Sequence, residues 1–152
     1  MILYFEDLAV GQTYATTSVS VSAEEIMAFG RQFDPQPFHT DVEAARNGPF
    51  GELVASGWHT ASLTMRLIIG GELQFAGGAV GRGVDNIEWP RPVKAGDALR
   101  AENEVIETRA LKSRTTHGVI KLRTTTRNQH DEIVQTMVAT ILVQRRPIVA
   151  AT

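Results

Sequence analysis

Asp34 and His39 are the first candidates for chemistry, because they lie five residues apart in the segment Asp34-Pro35-Gln36-Pro37-Phe38-His39. The two prolines fix their own φ angles and oppose a continuous helix, so both side chains could be held toward one point. Histidine transfers protons near neutral pH, and a neighbouring carboxylate can take a proton from water or orient the imidazole. The alternative is that Asp34 braces the turn and His39 packs beneath it. The residue types predict an acid/base pair without excluding that alternative.

Gly57 is the second candidate, because Ser56-Gly57 is typical of a helix start. The free N–H groups and the dipole of a helix N-terminus can hold an oxyanion or a polarised carbonyl oxygen. An ordinary glycine at an N-terminal turn is the alternative. Asp41 fits a helix N-cap better than a catalytic role, and His59 is interpreted as a packing or hydrogen-bonding residue.

Composition excludes several classes of function. The 152 residues, 43% of them hydrophobic and 21% charged, suit one globular domain spanning residues 1–152. The net charge is −2 and the basic residues are scattered, so nucleic acid is not an expected partner. Cysteine is absent, and the four histidines lack the spacing of a zinc site, so no metal is predicted.

No stretch reaches the roughly 20 apolar residues of a membrane span, and the N-terminus lacks the pattern of a signal peptide, so a soluble, cytoplasmic protein is predicted.

Two helices should position the Asp34–His39 segment. Ser22 with Glu25 fits a capping box, and an apolar stripe follows at helical spacing, formed by Ile26, Phe29, Gly30 and Phe33. The prolines end this pattern, so Asp34 to His39 is predicted to be a rigid loop. Asp41 should cap a short helix that runs to about Asn47.

A further helix and several strands complete the prediction. Between Trp58 and Ile69 the residues on nearly every side of the predicted helix are apolar, small or weakly polar. This pattern indicates a central helix enclosed by other structure. Gly77 to Gly83 is interpreted as a loosely specified region. Alternation with period two then predicts strands at 99–105, 120–126 and 133–141, joined as an antiparallel meander. The expected fold class is α+β, with a curved antiparallel sheet wrapped around a long central helix.

Three segments together resemble the MaoC-like, or (R)-specific enoyl-CoA hydratase, family. The run from Phe33 to Asp41 is similar to the family pattern D-x-N-P-x-H-x-D, and Pro49 to Trp58 is similar to its P-F-G and A-H-G-M segments. Trp89 to Asp97 resembles its F-x-x-P-V-x-x-G-D segment. The likeness extends from about residue 5 to residue 146.

This resemblance implies a single hot dog domain, a homodimer whose sheets join, with further pairing of dimers left open, and a role in fatty acid metabolism. It implies a hydro-lyase that adds or removes water across the C2=C3 bond of an acyl-CoA, with no metal or redox cofactor. Carried over, the catalytic residues are Asp34 and His39, with the Gly57 amide as oxyanion donor. Which of Asp34 and His39 takes the proton from water stays open.

The chain departs from the family pattern around this pair. Gln36 replaces Asn, Phe38 replaces Leu, Ser56 replaces His and Trp58 replaces Met, while Met65 stands where some members have serine. These five residues are predicted to bind the substrate, and the bulk of Trp58 and Met65 leaves the acyl chain undetermined. Arg82, Arg91 and Lys94 are interpreted as surface charge.

Two other functions stay open. The first is a hot dog thioesterase, although the segment from Gly57 to Ile69 has no Asp or Glu to serve it. The second is a non-catalytic subunit that binds acyl thioesters, for which an Asp/His pair would be unnecessary.

Overall fold

The computed structural model describes residues 1–150 and shows an α+β fold in one domain. The strands are β1 (Ile2–Leu3), β2 (Thr13–Ser20), β3 (Gln74–Phe75), β4 (Val80–Glu88), β5 (Ala98–Ala110), β6 (His117–Arg127) and β7 (Ile133–Gln144). The helices are α1 (Ala23–Phe33), α2 (Pro37–Thr40), α3 (Val42–Arg46) and α4 (Gly57–Ile69), and a 3-10 turn covers Phe5–Asp7.

Five strands form one antiparallel sheet in the order β2-β5-β6-β7-β4. Strands β5, β6 and β7 are the predicted meander, each pairing with the next along the chain. The prediction for Gly77 to Gly83 was wrong in part, because β4 begins at Val80 and contains Gly81 and Gly83. Glycine lowers strand propensity, so pairing with β7, rather than local sequence, makes this segment a strand.

Helix α4 is the predicted central helix, and it packs against β2, β5 and β7. Its buried side chains join both apolar clusters of the core, with Leu63 and Leu67 in one and Ile68 in the other. The expectation of an enclosed helix was wrong for one stripe, because Trp58, Met65 and Ile69 are about half exposed. Apolar composition alone does not reveal which side of a helix the single chain leaves uncovered.

Helix α1 begins as predicted, because the Ser22 hydroxyl accepts a hydrogen bond from the Glu25 N–H at 3.1 Å. Ile26 and Gly30 are buried and Phe29 is half-buried, but Phe33 is 64% exposed. The stripe therefore ends one turn earlier than its spacing predicted, because the chain leaves the helix directly after Phe33.

The segment from Asp34 to His39 is not wholly a loop, because Pro37–Thr40 forms the short helix α2. Pro37 occupies its first position, where a proline costs no hydrogen bond and its fixed φ suits the helix. Asp41 caps the following helix α3 as predicted, accepting hydrogen bonds from the N–H groups of Glu43 and Ala44. None of the helices described between residues 1 and 150 has the length and apolar character to cross a membrane.

Candidate active site

His39 is held from behind by the backbone of a buried extended segment, Leu53 to Ala55. Its Nδ1 lies 2.6 Å from the carbonyl oxygen of Val54. That segment is itself fixed on both sides, since the Val54 N–H donates to the Phe38 carbonyl at 3.1 Å and the Ala55 N–H donates to the Val93 carbonyl at 2.8 Å. A carbonyl only accepts, so Nδ1 carries the hydrogen and the orientation of the ring leaves Nε2 for chemistry.

Asp34 lies at the end of α1 and faces that free nitrogen. Its Oδ2 is 3.3 Å from His39 Nε2, while its Oδ1 accepts a hydrogen bond from Gln36 Nε2 at 2.7 Å. Burial raises the pKa of the Asp34 carboxyl, but hydrogen bonds from Gln36 and Ser56 and the proximity of His39 outweigh it, so the pKa lies below its ordinary value of 3.8. The carboxylate is therefore charged at neutral pH.

Gly30 allows α1 and α2 to approach each other at the position of His39. A Cβ atom on Gly30 would lie 2.6 Å from the His39 carbonyl oxygen and 3.0 Å from its Cβ. The glycine was predicted only as one position of an apolar stripe. Its close contact shows that it brings the histidine and the end of α1 together.

Gly57 is the first residue of α4, so its N–H belongs to the four that lack an acceptor within the helix. A Cβ atom at this position would lie 2.6 Å from Cδ2 and Cε2 of Trp89, because the indole packs directly on the glycine backbone. Ser56 is fully buried and caps the helix by accepting a hydrogen bond from the Trp58 N–H at 3.3 Å. The predicted helix N-terminus and the predicted Asp/His pair thus share Ser56 as a neighbour.

These groups border one cavity of about 470 Å³. Asp34, His39 and Gly57 all line it, so the three predicted catalytic residues are brought together. The predicted substrate-binding residues Gln36, Phe38 and Trp58 also line it; we call this space the Asp/His cavity.

Two other predicted substrate-binding residues lie elsewhere. Ser56 is buried behind the cavity wall, and Met65 lines a second, apolar cavity of about 630 Å³ between α4 and β4. We call this second space the α4–β4 groove. Contact of these two residues with a substrate stays a prediction.

Trp89 and Gln135 are part of the site and were not selected from the sequence. Trp89 lines the Asp/His cavity, and its Nε1–H donates to the buried Gln135 Oε1 at 2.9 Å. Trp89 opens the segment Trp89 to Asp97 that carried part of the family resemblance, which was the available signal. No signal in the sequence pointed to Gln135, since a glutamine within a strand pattern does not show which face of the sheet it occupies.

His59 lies away from this arrangement, although it is one turn into α4. Its ring stacks on Phe29, with centroids 4.7 Å apart and planes at 6°. It does not line the Asp/His cavity, and its buried Nδ1 has no hydrogen-bond partner within the described chain. Burial lowers the pKa of His59 below 6.5, and Glu25 opposes this only in part.

Comparison with known proteins identifies the family and the fold. Residues 6–128 match the MaoC like domain, so the chain belongs to the MaoC-like dehydratase family, whose fold is the hot dog fold. The MaoC-like dehydratase from Rhodospirillum rubrum has a similar structure, with 44% sequence identity, a TM-score of 0.91, and coverage of 96% of this chain and 99% of that one.

Two relatives show how far the family likeness extends. A Bacillus subtilis (strain 168) protein, named uncharacterized protein YdeM, is 30% identical over 142 residues, covering 92% of this chain and 98% of the relative. The 3-hydroxybutyryl-CoA dehydratase of Methylorubrum extorquens is 31% identical over 107 residues, covering 70% of this chain and 66% of the relative. Membership of the MaoC-like dehydratase family supports the assignment of the protein as a hydro-lyase.

Proposed function

We propose that the protein is an (R)-specific 2-enoyl-CoA hydratase, acting in reverse as a 3-hydroxyacyl-CoA dehydratase. The proposal rests on the Asp34–His39 pair, in which Asp34 Oδ2 lies 3.3 Å from His39 Nε2. The other ring nitrogen, Nδ1, is held by the Val54 carbonyl. A relative named for dehydration of a hydroxyacyl-CoA supports this choice of substrate class. The reaction needs only two proton-handling groups and one oxyanion donor, and the proposal calls for no metal or redox cofactor.

The hydrogen-bonding geometry of the pair suits the activation of water. With hydrogen on Nδ1, a neutral His39 presents a lone pair at Nε2, and the charged Asp34 presents one at Oδ2. A water molecule on the cavity side of the pair, in contact with both atoms, can donate a hydrogen bond to either one of them. Its oxygen then points its own lone pairs into the cavity, toward the position of C3.

Addition of this water is balanced by a proton delivered from the same pair. As the C3–O bond forms, an O–H bond of water breaks and its proton passes to Asp34 or His39. The electrons of the C2=C3 bond move toward the thioester oxygen, and a proton from the pair then forms the C2–H bond. The pair ends in its starting state, so it shares the base and acid roles without the need to assign one to each residue.

The Gly57 N–H stabilises the negative charge on the thioester oxygen in this proposal. Backbone donors at a helix N-terminus are fixed before the reaction and need not reorient as charge develops. Trp89, packed on Gly57, covers this donor on one side and limits the access of competing water. Gln36, Phe38 and Trp58 line the remainder of the cavity and are proposed to contact the substrate.

The test is an assay of the purified protein with crotonyl-CoA, following loss of the enoyl-thioester chromophore, beside an assay of thiol release from butyryl-CoA. Hydration without thiol release is the expected result. Thiol release without hydration would identify a thioesterase instead. Binding of both thioesters with neither reaction would identify a non-catalytic subunit.

We also propose a homodimer that forms along β4 and works in the cytoplasm. Strand β4 lies at the edge of the sheet, and Val80, which does not line the α4–β4 groove, is more than half exposed. An edge strand with exposed apolar side chains is a template for pairing, and a second copy would cover it. Sedimentation equilibrium should give twice the chain mass, and a monomer would contradict the proposal.

A further inference from the structure

Trp58 is the residue that the Asp/His cavity and the α4–β4 groove have in common. It occupies the second position of α4, directly after Gly57. Gly57 and Thr60 face the Asp/His cavity, whereas Ala61 and Met65 face the groove. The indole of Trp58 therefore stands at the boundary between the proposed reaction centre and a larger apolar space.

The composition of the groove suits an alkyl chain. Most of its lining side chains are aliphatic or aromatic, including Ile68, Phe75 and Ile87. Arg82 and Thr124 are the exceptions. A surface of this kind gains free energy by covering methylene groups, at about 0.8 kcal/mol for each one removed from water, and offers little to a phosphate-bearing nucleotide.

One neighbouring residue, Trp89, packs against the Trp58 ring. Trp89 meets it edge to face, with ring centroids 5.3 Å apart and planes at 77°. Trp89 is in turn held by its hydrogen bond to the buried Gln135 and by its packing on Gly57. Moving Trp58 away from the boundary would give up the aromatic contact, and moving Trp89 as well would also break the bond to Gln135.

We propose that Trp58, braced by Trp89 and Gln135, determines acyl chain length by separating the Asp/His cavity from the α4–β4 groove. The natural substrates are then short-chain thioesters, whose acyl groups end before Trp58. A smaller residue at this position opens the groove to longer chains. This inference rests on the proposed function for the position of the thioester carbonyl beside Gly57.

The first test replaces Trp58 with methionine, the residue common at this position in the family pattern that the segment resembles. More than half of Trp58 is exposed, so the Trp58→Met variant should fold, which circular dichroism checks. The ratio of kcat/KM for trans-2-octenoyl-CoA to that for crotonyl-CoA should rise at least about tenfold, since access for even one methylene changes specificity by about 10–200-fold. An unchanged ratio would overturn the proposal, whatever the oligomeric state of the variant.

A second substitution shows whether the longer chain occupies the groove. Ala61 lines the groove one turn beyond Trp58, and a phenylalanine there would fill it. The double variant Trp58→Met, Ala61→Phe should therefore return the octenoyl preference toward that of the natural protein. If the double variant kept the full gain, the chain would lie elsewhere and the assignment of the groove would fail.

A binding measurement separates this inference from the proposed reaction. Dissociation constants for butyryl-CoA and octanoyl-CoA, measured by calorimetry, do not depend on turnover. The Trp58→Met variant should bind octanoyl-CoA at least about tenfold more tightly relative to butyryl-CoA than the natural protein does. If this occurred in a protein without hydratase activity, the boundary role would stand and the proposed reaction would fall. If hydration occurred without any change in binding or preference, the boundary role would fall alone.

Discussion

The two histidines His39 and His59 are similarly buried, at 5% and 6% exposure, yet within the described chain only His39 has a carboxylate within 4 Å of its ring. Both nitrogens of His39 have polar neighbours, the Val54 carbonyl on one side and the Asp34 carboxylate on the other. His59 instead stacks on Phe29, and its Nδ1 has no partner among the described residues. The difference lies in hydrogen bonding and charge, not in burial.

This contrast shows why a buried histidine is weak evidence for a site. Burial alone disfavours the imidazolium, which lowers the pKa of His59 and reduces its ability to hold a proton. A carboxylate beside the ring offers a transferred proton a second acceptor. His39 has this neighbour, and His59 has Glu25 only at longer range.

The largest expected effect comes from making the same substitution at both histidines. His39→Gln should lower kcat/KM for crotonyl-CoA hydration by about 10²–10⁴-fold, because a glutamine cannot exchange a proton with water. His59→Gln, the matched control, should stay within about threefold of the natural protein. Steady-state kinetics on both variants, with circular dichroism to confirm folding, make the measurement. Equal losses at both positions would show that the contrast in partners does not decide function.

A smaller effect is expected from the residue that supports Asp34. Gln36→Met removes the hydrogen bond to Oδ1 and with it one cause of the low pKa of Asp34. The acid limb of the kcat/KM profile should therefore move to higher pH, and kcat/KM at neutral pH should fall about two- to tenfold, as expected for one hydrogen bond. Kinetics from neutral pH down to the range around 3.8, the ordinary pKa of an aspartate, measure both. A fall in kcat/KM with no movement of the acid limb would show that Gln36 acts on the substrate rather than on Asp34.

The smallest effect concerns stability and belongs to His59. The pKa of His59 is lowered in the folded protein, so the unfolded chain binds more protons as the pH falls below about 6.5, and the folded state loses stability there. The contribution of this one group to the slope is at most about 1.4 kcal/mol for each pH unit. Urea unfolding at several pH values should show a shallower dependence in His59→Gln. The same slope in both proteins would mean that other groups cause the acid sensitivity.

Much of the site could be predicted because its signals are local. Asp34 and His39 lie on one short segment, and Ser56-Gly57 marks a helix start by its own residue types. Trp89 and Gln135 could not be chosen in this way, because they meet only when the end of β4 lies beside β7. Val54 contributes a backbone carbonyl, and its residue type carries no information about that role.

The predicted fold was confirmed, but individual segments were predicted wrongly where neighbours override local preference. Gly81 and Gly83 disfavour a strand, yet pairing with β7 makes this segment part of β4, with a register shift between the two glycines. Phe33 continues an apolar stripe in sequence but is exposed, because the helix ends at that residue. Both errors concern which surfaces are covered, a property of the assembled fold rather than of the segment.

The contact between Gly57 and Trp89 also limits how this chain can change by mutation. Any side chain at position 57 would collide with the indole, whereas a smaller residue at 89 would first make room for it. Substitutions at these two positions are therefore ordered, with 89 changing before 57. In a mutational library that varies position 57 alone, every variant would require Trp89 to shift, so the two sites vary together although 31 positions separate them.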